Sequence, residues 1–267
     1  MKNEHNSDPT VDLFYSESGV GQPLVLLHGL GGTGNDWELQ LPAFAPRYRS
    51  LSVDLRGHGR SPKPKGPYHI TQFAGDVVKL LKNVDAYPAH VLGLSLGGAV
   101  AQQLAIDYPD AVRSLVLVNT LPRFVSSQWR YRLMGARRFA NLYFQGMDKV
   151  AEDVAERLFP MLEQAPLRTE AISRLATNDM SAYRASIWAV ARFDVTLLLD
   201  LIDCPALVVA GDRDITIPLE PKVALADSLP NAKFTMVYDS GHATPIDQPE
   251  VFNQAVLDFL ESTGAGG

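Results

Sequence analysis

The sequence predicts an α/β protein with a mostly parallel central sheet, helices on both faces of the sheet and a helical cap insertion. Three observations predict this class. Short apolar segments alternate with helix-forming segments along most of the chain. Several of the apolar segments are unbroken runs of Val and Leu, which is typical of parallel strands buried on both faces. The alternation stops across residues 121–194, where apolar residues recur with a helical period.

The elements follow in chain order. Residues 11–15 alternate apolar and polar side chains before a Gly-containing turn, which predicts an antiparallel edge hairpin with the first parallel strand. Apolar runs predict parallel strands at residues 24–27, 50–53, 89–92, 115–118, 206–210 and 234–237. Helices are predicted at residues 71–83, 99–108, 220–228 and 249–261. We therefore expect residues 1–120 and 195–267 to form the core, and residues 121–194 to form a cap over the carboxyl ends of the strands.

The composition limits the classes of function. With 267 residues, 46 % of them hydrophobic, the chain can bury one large core. Its net charge of −6 gives no electrostatic support to nucleic-acid binding. We expect no membrane span and no secretory signal, because no apolar run approaches roughly 18–20 residues and the first ten residues are polar. The single cysteine, Cys204, fits a cytoplasmic protein, and its place at the start of a strand predicts a buried structural thiol.

The segment Gly93-Leu-Ser95-Leu-Gly97-Gly98 joins an apolar strand to a helix-forming run. A serine between two glycines at such a junction is typical of a nucleophile elbow, in which a tight turn exposes the hydroxyl at the start of a helix. Gly93 and Gly97 are needed there because side chains would clash across the turn. Two other interpretations exist, a plain Ser/Gly turn and a dinucleotide-binding loop. The second expects an acid after the next strand, and Asn119 and Thr120 stand there instead.

A serine nucleophile needs a base, most often histidine, and a carboxylate that orients the base. Of the six histidines, His28 and His242 directly follow predicted strands, where α/β sheets place their active sites. Two acids, Asp212 and Asp214, follow the strand at residues 206–210. The chain order serine, acid, histidine is that of the α/β-hydrolase triad.

The chain resembles the α/β-hydrolases over nearly its whole length. The resemblance lies in Leu27-His28-Gly29-Leu30-Gly31-Gly32, residues 54–61, the Ser95 segment, Gly211-Asp-Arg-Asp214 and Gly241-His242. It implies a triad of Ser95, Asp214 and His242, because the family acid lies three residues after the glycine. It also implies that the N–H groups of Leu30 and Leu96 form the oxyanion hole, and we expect the His28 ring to brace that loop.

The resemblance is strongest to small capped esterases, 3-oxoadipate enol-lactonases, acyl-homoserine lactonases and cofactor-free haloperoxidases. It implies a serine hydrolase that cleaves a small carboxylic ester or lactone through an acyl-enzyme, with no metal and no organic cofactor. Three alternatives stay open: a carbon–carbon bond hydrolase, a haloperoxidase-like member and a weakly hydrolytic ligand receptor. Serine at the nucleophile position argues against epoxide hydrolases and haloalkane dehalogenases, which carry Asp there. A homodimer also stays open.

Substrate choice is expected to lie in the cap. We predict that Trp188, Tyr183, Tyr143 and Phe144 contact substrate, with Trp188 the strongest candidate; Trp129, Tyr131 and Phe139 are further cap aromatics. The cap carries 11 Lys and Arg against 8 Asp and Glu, a net +3, so the rest of the chain carries −9. This asymmetry indicates either solvated arginines over an acidic body or a preference for anionic acyl substrates.

Overall fold

The computed structural model describes residues 10–125 and 143–264. These residues include a seven-stranded sheet of order β1-β3-β2-β4-β5-β6-β7. The strands are β1 (Tyr15–Ser18), β2 (Gln22–Leu27), β3 (Tyr48–Val53), β4 (Ala89–Leu94), β5 (Val112–Val118), β6 (Ala206–Gly211) and β7 (Ala232–Val237). β1 pairs antiparallel with β3, and the other neighbouring strands are parallel. The mostly parallel α/β class is therefore confirmed.

The described α-helices flank and extend this sheet. They are α1 (Leu41–Phe44), α2 (Ile70–Asn83), α3 (Leu96–Asp107), α4 (Met147–Leu158), α5 (Ala165–Leu175), α6 (Met180–Arg192), α7 (Leu219–Ser228), α8 (Thr244–Asp247) and α9 (Pro249–Gly264). The four helices predicted outside the insertion correspond to α2, α3, α7 and α9, with ends that differ by at most three residues. Within residues 10–125 and 143–264, no helix has both the length and the apolar character that crossing a membrane requires.

Two apolar cores cover the two faces of the sheet. Val25 and Leu27 of β2 lie in the core beneath α2, α3 and α7, whereas Leu24 and Leu26 lie in the core beneath α1 and α9. Successive residues of a strand point to opposite faces, so a strand covered on both sides needs an apolar residue at every position. This explains the unbroken Val and Leu runs in the sequence.

The prediction for the first strand was wrong in its position and its partner. The strand covers Tyr15–Ser18 rather than residues 11–15, and it pairs with β3 instead of forming a hairpin with β2. Both edges of β2 are already occupied, by β3 on one side and β4 on the other. The free edge of β3 is the place left for an antiparallel partner.

Helices α4, α5 and α6 lie in the chain between β5 and β6. Arg123 and Asp194 form an isolated antiparallel bridge, and their side chains form an ion pair at 3.4 Å. Beside them, the Val195 N–H donates to the Pro122 carbonyl at 2.9 Å. The chain therefore leaves the sheet after β5 and rejoins it before β6 at adjacent points.

Candidate active site

The carboxyl ends of four parallel strands bring the predicted site residues to one edge of the sheet. The loop after β2 carries His28 and Leu30, and Ser95 directly follows β4. β6 and β7 are followed by Asp214 and His242. Gly211 allows the loops after β6 and β7 to come close together, because a Cβ at this position would lie 2.3 Å from the Gly241 carbonyl oxygen. The loops of Asp214 and His242 are therefore in direct contact.

Ser95 stands at the junction of β4 and α3 in a strained backbone conformation. Its φ is 53° and its ψ is −108°, outside the regions that residues with a side chain favour. Three hydrogen bonds hold the turn: Ser95 N–H donates to the Val118 carbonyl at 2.9 Å, and the Ser95 carbonyl accepts from Thr120 Oγ1 at 2.8 Å and from the Ala99 N–H at 3.1 Å. Strain of this kind persists only where the surroundings fix it, and it is concentrated at functional sites.

The two glycines that frame Ser95 allow the backbone to approach itself closely. A Cβ at Gly93 would lie 2.3 Å from the Gly97 carbonyl oxygen. A Cβ at Gly97 would lie 2.1 Å from the carbonyl oxygen of Leu27, on the neighbouring strand. The steric reason for glycine that the sequence suggested is thus present in the fold.

His242 and Asp214 form a buried pair. The Nδ1 atom of His242 lies 2.8 Å from Asp214 Oδ2. The other carboxylate oxygen, Oδ1, accepts from the backbone N–H groups of Thr216 at 2.7 Å and Ile217 at 3.0 Å. Burial raises the pKa of Asp214, but His242 and Lys222 more than offset this and bring it to about 2. Asp214 is therefore an anion at neutral pH and accepts the Nδ1 proton, which leaves Nε2 of His242 for another partner.

The two acids that follow β6 differ in their contacts. Asp212 does not reach His242; its Oδ1 accepts from the Ser240 N–H at 3.2 Å and its Oδ2 lies 3.5 Å from Arg213. Of the two acids after β6, only Asp214 contacts the imidazole.

Two buried polar residues that the sequence analysis did not select complete this cluster. Lys222 of α7 is fully buried, and its Nζ donates to Asp214 Oδ2 and to Asn119 Oδ1, both at 2.7 Å. Asn119, at the end of β5, donates through Nδ2 to the His242 carbonyl at 2.9 Å. The sequence carried one signal for Lys222: it lies on the same helical face as the apolar Leu225 and Ala226. A lysine on the inward face of a helix needs a buried partner.

His28 braces the loop that carries Leu30. Its Nε2 accepts from the Leu55 N–H at 3.0 Å, so Nδ1 carries the proton and donates to the Gly29 carbonyl at 2.7 Å. Burial lowers the pKa of His28 to about 4, and burial together with His28 lowers the pKa of the adjacent His58 to about 3. Both rings are neutral at physiological pH, and their contacts are those of packing residues.

The two N–H groups assigned to the oxyanion hole lie near Ser95. Leu96 is the first residue of α3, where backbone N–H groups have no acceptor within the helix. Leu30 lies in the turn after β2, and its N–H donates to no atom of the described residues. Gly31, with φ of 79°, supports this turn, and its carbonyl accepts from Asn178 Nδ2 at 2.8 Å.

One cavity of about 400 Å³ opens onto these groups. Its walls include Ser95, His242 and Leu30. The opposite wall comes from α4, α5 and the segments beside them. The side chains of that wall are Val154, Arg157, Leu158, Phe159, Leu167, Glu170, Ala171, Arg174, Leu175 and Tyr183. The volume suits a small ligand.

Of the four aromatic residues predicted to contact substrate, one lines the cavity. Tyr183 lines the cavity, whereas Trp188, Tyr143 and Phe144 do not line its described wall. Trp188 is 41 % exposed and packs beneath Arg192, one helical turn away, so its contact with substrate stays a prediction. Tyr143 and Phe144 contact each other edge to face, and Phe144 is 85 % exposed. Trp129, Tyr131 and Phe139 lie outside the described residues. The sequence missed the aliphatic wall because helical periodicity alone does not tell which face meets a cavity.

The charged residues of the cavity are mostly paired with one another. Arg174 binds Glu170 at 2.7 Å and Glu38 at 3.0 Å, and it lies 4.0 Å from Asp36. Burial raises the pKa of Asp36 to about 6. Arg157, in the last turn of α4, forms no hydrogen bond or ion pair with the described residues.

Cys204 is half-buried, and burial raises its pKa to about 11. A thiol with this pKa is a poor nucleophile at neutral pH. Within the same described ranges, no group of three or more His, Cys, Asp or Glu side chains is arranged to hold a metal ion.

Comparison with known proteins adds to this geometry. Residues 22–249 match the family model described as alpha/beta hydrolase fold. The 3-oxoadipate enol-lactonase 2 of Acinetobacter baylyi is 31 % identical over 237 residues, which is 87 % of this chain and 86 % of the relative. A protein of Caulobacter sp. named "putative carbamate hydrolase RutD" is 32 % identical and covers 96 % of this chain and 98 % of its own length.

The solved structures agree in fold. The enol-lactonase of Burkholderia xenovorans LB400 superposes with a TM-score of 0.87 at 28 % identity, over 94 % of this chain and 97 % of that one. A family model that spans most of the chain, with relatives of this identity and coverage, leads to one conclusion: the protein belongs to the α/β-hydrolase family and is a hydrolase.

Proposed function

We propose that this protein is a serine hydrolase that cleaves a small carboxylic ester or lactone through a triad of Ser95, His242 and Asp214. The observation that carries the proposal is the strained Ser95 elbow in the same cavity wall as the Asp214–His242 pair. Relatives named as enol-lactonases support a lactone or ester carbonyl as the target.

The mechanism follows from these positions. His242 removes the Ser95 proton through Nε2 as Ser95 Oγ attacks the carbonyl carbon, and Asp214 stabilises the imidazolium that forms. The N–H groups of Leu30 and Leu96 donate to the developing oxyanion; loss of one such donor typically costs about 2.7–4 kcal/mol of barrier stabilisation. His242 then protonates the leaving alkoxide. Water, activated by the same imidazole, releases the acid from the acyl-enzyme.

Ser95 and His242 form no mutual hydrogen bond in the described residues. Such bonds are often long without substrate and tighten when it binds. We also propose that residues 121–194 form the cap of the enzyme, because α4 and α5 contribute the wall that faces Ser95.

Replacement of Ser95 tests the proposal. We expect Ser95→Ala to lower kcat by at least about 10³-fold, since the remaining binding and oxyanion groups give only a small part of the rate. Initial rates are measured on matched p-nitrophenyl esters, γ-lactones, acyl-homoserine lactones and a carbamate ester. Ser228→Ala, an exposed serine at the end of α7, is the control.

Two results would overturn the proposal: full activity of the folded Ser95→Ala protein, or no hydrolysis by the wild type of any member of the panel. Melting curves of the variant exclude loss of fold as the cause of lost activity. Stoichiometric phosphonylation of Ser95 by a fluorophosphonate probe, in which Ser95 Oγ displaces fluoride from phosphorus, is detected by mass spectrometry and gives a second readout that does not depend on the substrate.

A further inference from the structure

Lys222 is the one described lysine that is fully buried beside the proposed triad. Removal of an ammonium group from water is costly unless charged or polar partners replace the water. Lys222 has two such partners, Asp214 Oδ2 and Asn119 Oδ1, each at 2.7 Å. A buried lysine is therefore stable here, and its position raises the question of what it does to the triad.

Lys222 and His242 bind the same oxygen. Asp214 Oδ2 accepts from Lys222 Nζ at 2.7 Å and from His242 Nδ1 at 2.8 Å. The ammonium and the imidazole are consequently within about 5.5 Å of each other. Asp214 Oδ1 is taken by backbone N–H groups, so the carboxylate cannot turn away from either partner.

Lys222 also fixes the geometry around the imidazole. Asn119 accepts from Lys222 through Oδ1 and donates through Nδ2 to the His242 carbonyl and to Thr244 Oγ1. The Lys222–Asn119 pair thus connects the loops after β5, β6 and β7. Loss of the lysine would remove one of two hydrogen bonds from each of two buried oxygens: Asn119 Oδ1 would keep the Gly211 N–H, and Asp214 Oδ2 would keep His242.

The charge of Lys222 acts on the protonation of His242. An imidazolium beside Asp214 alone would be stabilised by an unopposed carboxylate. With the ammonium bound to the same oxygen, the carboxylate charge is already balanced, and a second positive charge is disfavoured. Hydrolysis by Ser95 needs the neutral imidazole.

We propose that Lys222 is a positioning residue that holds Asp214 in place and, through its charge, extends the activity of the enzyme to lower pH. The proposal depends on the Ser95 mechanism given above. Burial lowers the pKa of Lys222, and Asp214 opposes this.

The other charged groups near the triad have different surroundings from Lys222. Asp247 of α8 accepts from the Gly241 N–H and from Ser240 Oγ, and burial raises its pKa. Asp212 is paired with Arg213 at the surface of the same loop. Arg157 faces the cavity from α4. None of these groups contacts Asp214 Oδ2, so Lys222 is the cation placed to offset its charge.

The experiment compares pH–activity profiles. In Lys222→Met, which keeps the length and removes the charge, we expect the midpoint of the acid limb of kcat/KM to rise by about one to two pH units, as for a charge at this distance and an effective dielectric of about 20. Lys222→Gln retains a hydrogen-bond donor without charge and should show the same direction of shift. Lys233→Met, an exposed lysine on β7, is the matched control and should keep the wild-type midpoint.

Three results would overturn the proposal. If the Lys222→Met profile kept the wild-type midpoint, the charge of Lys222 would have no effect on the pH dependence and its role would be structural. A wild-type midpoint in Lys222→Gln with a shift in Lys222→Met would show that hydrogen bonding, and not charge, matters. A shift to lower pH would contradict the sign of the argument.

A second readout separates this proposal from the proposed function. The ring protons of His242 are titrated by NMR in the wild type and in each variant, which needs no turnover. Where the neutral variants do not fold, the Lys222→Arg variant is used instead. The Lys222 ammonium resonance of the wild type is then identified as the one that is missing from the spectrum of this variant. We expect that resonance to move as His242 titrates; a resonance that does not respond would overturn the coupling. If the wild type were inactive but the His242 titration midpoint still differed between the wild type and the neutral variants as expected, the Ser95 mechanism would be refuted and the proposal for Lys222 would stand.

Discussion

Asp36 is a carboxyl group whose surroundings favour its neutral form. It lies in the 3-10 helix Gly34–Trp37, its Oδ2 accepts from the Thr33 N–H at 3.2 Å, and its side chain is 21 % exposed. Burial raises its pKa to about 6, against the effects of that N–H group and of Arg174. The folded-state pKa exceeds the unfolded value, so its contribution to stability is full below about pH 4 and is lost as the pH rises through 6.

Replacement of Asp36 should therefore stabilise the protein in a pH-dependent way. We expect Asp36→Asn to raise the free energy of unfolding by about 1–2 kcal/mol at pH 8, after allowance for the partial exposure of the group, and by little at pH 4. Thermal or urea unfolding at both values measures this, with the exposed Asp227→Asn as control. An equal change at both pH values would show that the carboxyl charge is not the cause.

Arg157 is the cavity cation without a partner among the described residues. An anionic group on a substrate would meet it at the end of α4, and a charge-assisted hydrogen bond of this kind contributes about 1.5–3 kcal/mol. We expect Arg157→Gln to lower kcat/KM about 10- to 100-fold for an ester with a terminal carboxylate and to leave its neutral analogue nearly unchanged. Arg192→Gln, on α6 outside the cavity wall, is the control. A uniform loss on both substrates would refute a role in charge recognition.

Among the elements, the β4–α3 junction tolerates the least change. A Cβ at position 97 would meet the carbonyl oxygens of Leu27 and His28 at 2.1 and 2.8 Å, and backbone atoms of a central strand cannot move away. We expect Gly97→Ala to destabilise the protein by at least about 3 kcal/mol or to prevent folding, as measured by chemical denaturation.

A second glycine provides the matched comparison. Gly75 lies inside α2, and a Cβ there would make only ordinary contacts of 3.6 and 3.8 Å. Gly75→Ala should raise the free energy of unfolding by about 0.5–1 kcal/mol, because alanine loses less backbone entropy than glycine when a helix forms. Equal effects of the two substitutions would contradict the steric explanation of the elbow.

The sequence predicted the regular elements well because each has a local cause. The parallel strands are apolar at every position, and the elbow needs two glycines at a fixed spacing. β1 was misplaced because its partner, β3, is not its neighbour in sequence. Lys222 was missed because its partners directly follow β5 and lie after β6, and only the assembled sheet brings them together. The contact of Trp188 with Arg192 could not be foreseen because it depends on the orientation of α6.

At the scale of the whole molecule, the three described helices between β5 and β6 do not share one core. Ala182, Ala185 and Ala189 of α6 belong to the core that includes the sheet, whereas α4 and α5 enclose a separate small cluster of Ala151, Ala155 and Leu175. A region with few buried apolar contacts opens at a lower free energy than the main core. The wall that faces Ser95 is therefore expected to be less stable than the sheet beneath it.

Hydrogen exchange followed by mass spectrometry tests this difference. We expect amides of α4 and α5 to exchange at least about tenfold faster than those of α6, which corresponds to about 1.4 kcal/mol in opening free energy. Ala155→Gly should accelerate exchange in α4 and α5 alone, and Ala189→Gly should act on α6. Equal protection of all three helices would contradict the division into two cores.

The bridge between Arg123 and Asp194 has a consequence for how this protein can diverge from its relatives. A segment whose two ends meet can lengthen, shorten or be exchanged as a module without displacing the strands that flank it. Ser95, Asp214 and His242 all lie outside residues 123–194. On the proposed mechanism, selection could therefore rebuild the cavity wall that α4 and α5 contribute while the proposed triad stays unchanged, whereas α6 would have to keep the alanines that pack in the main core.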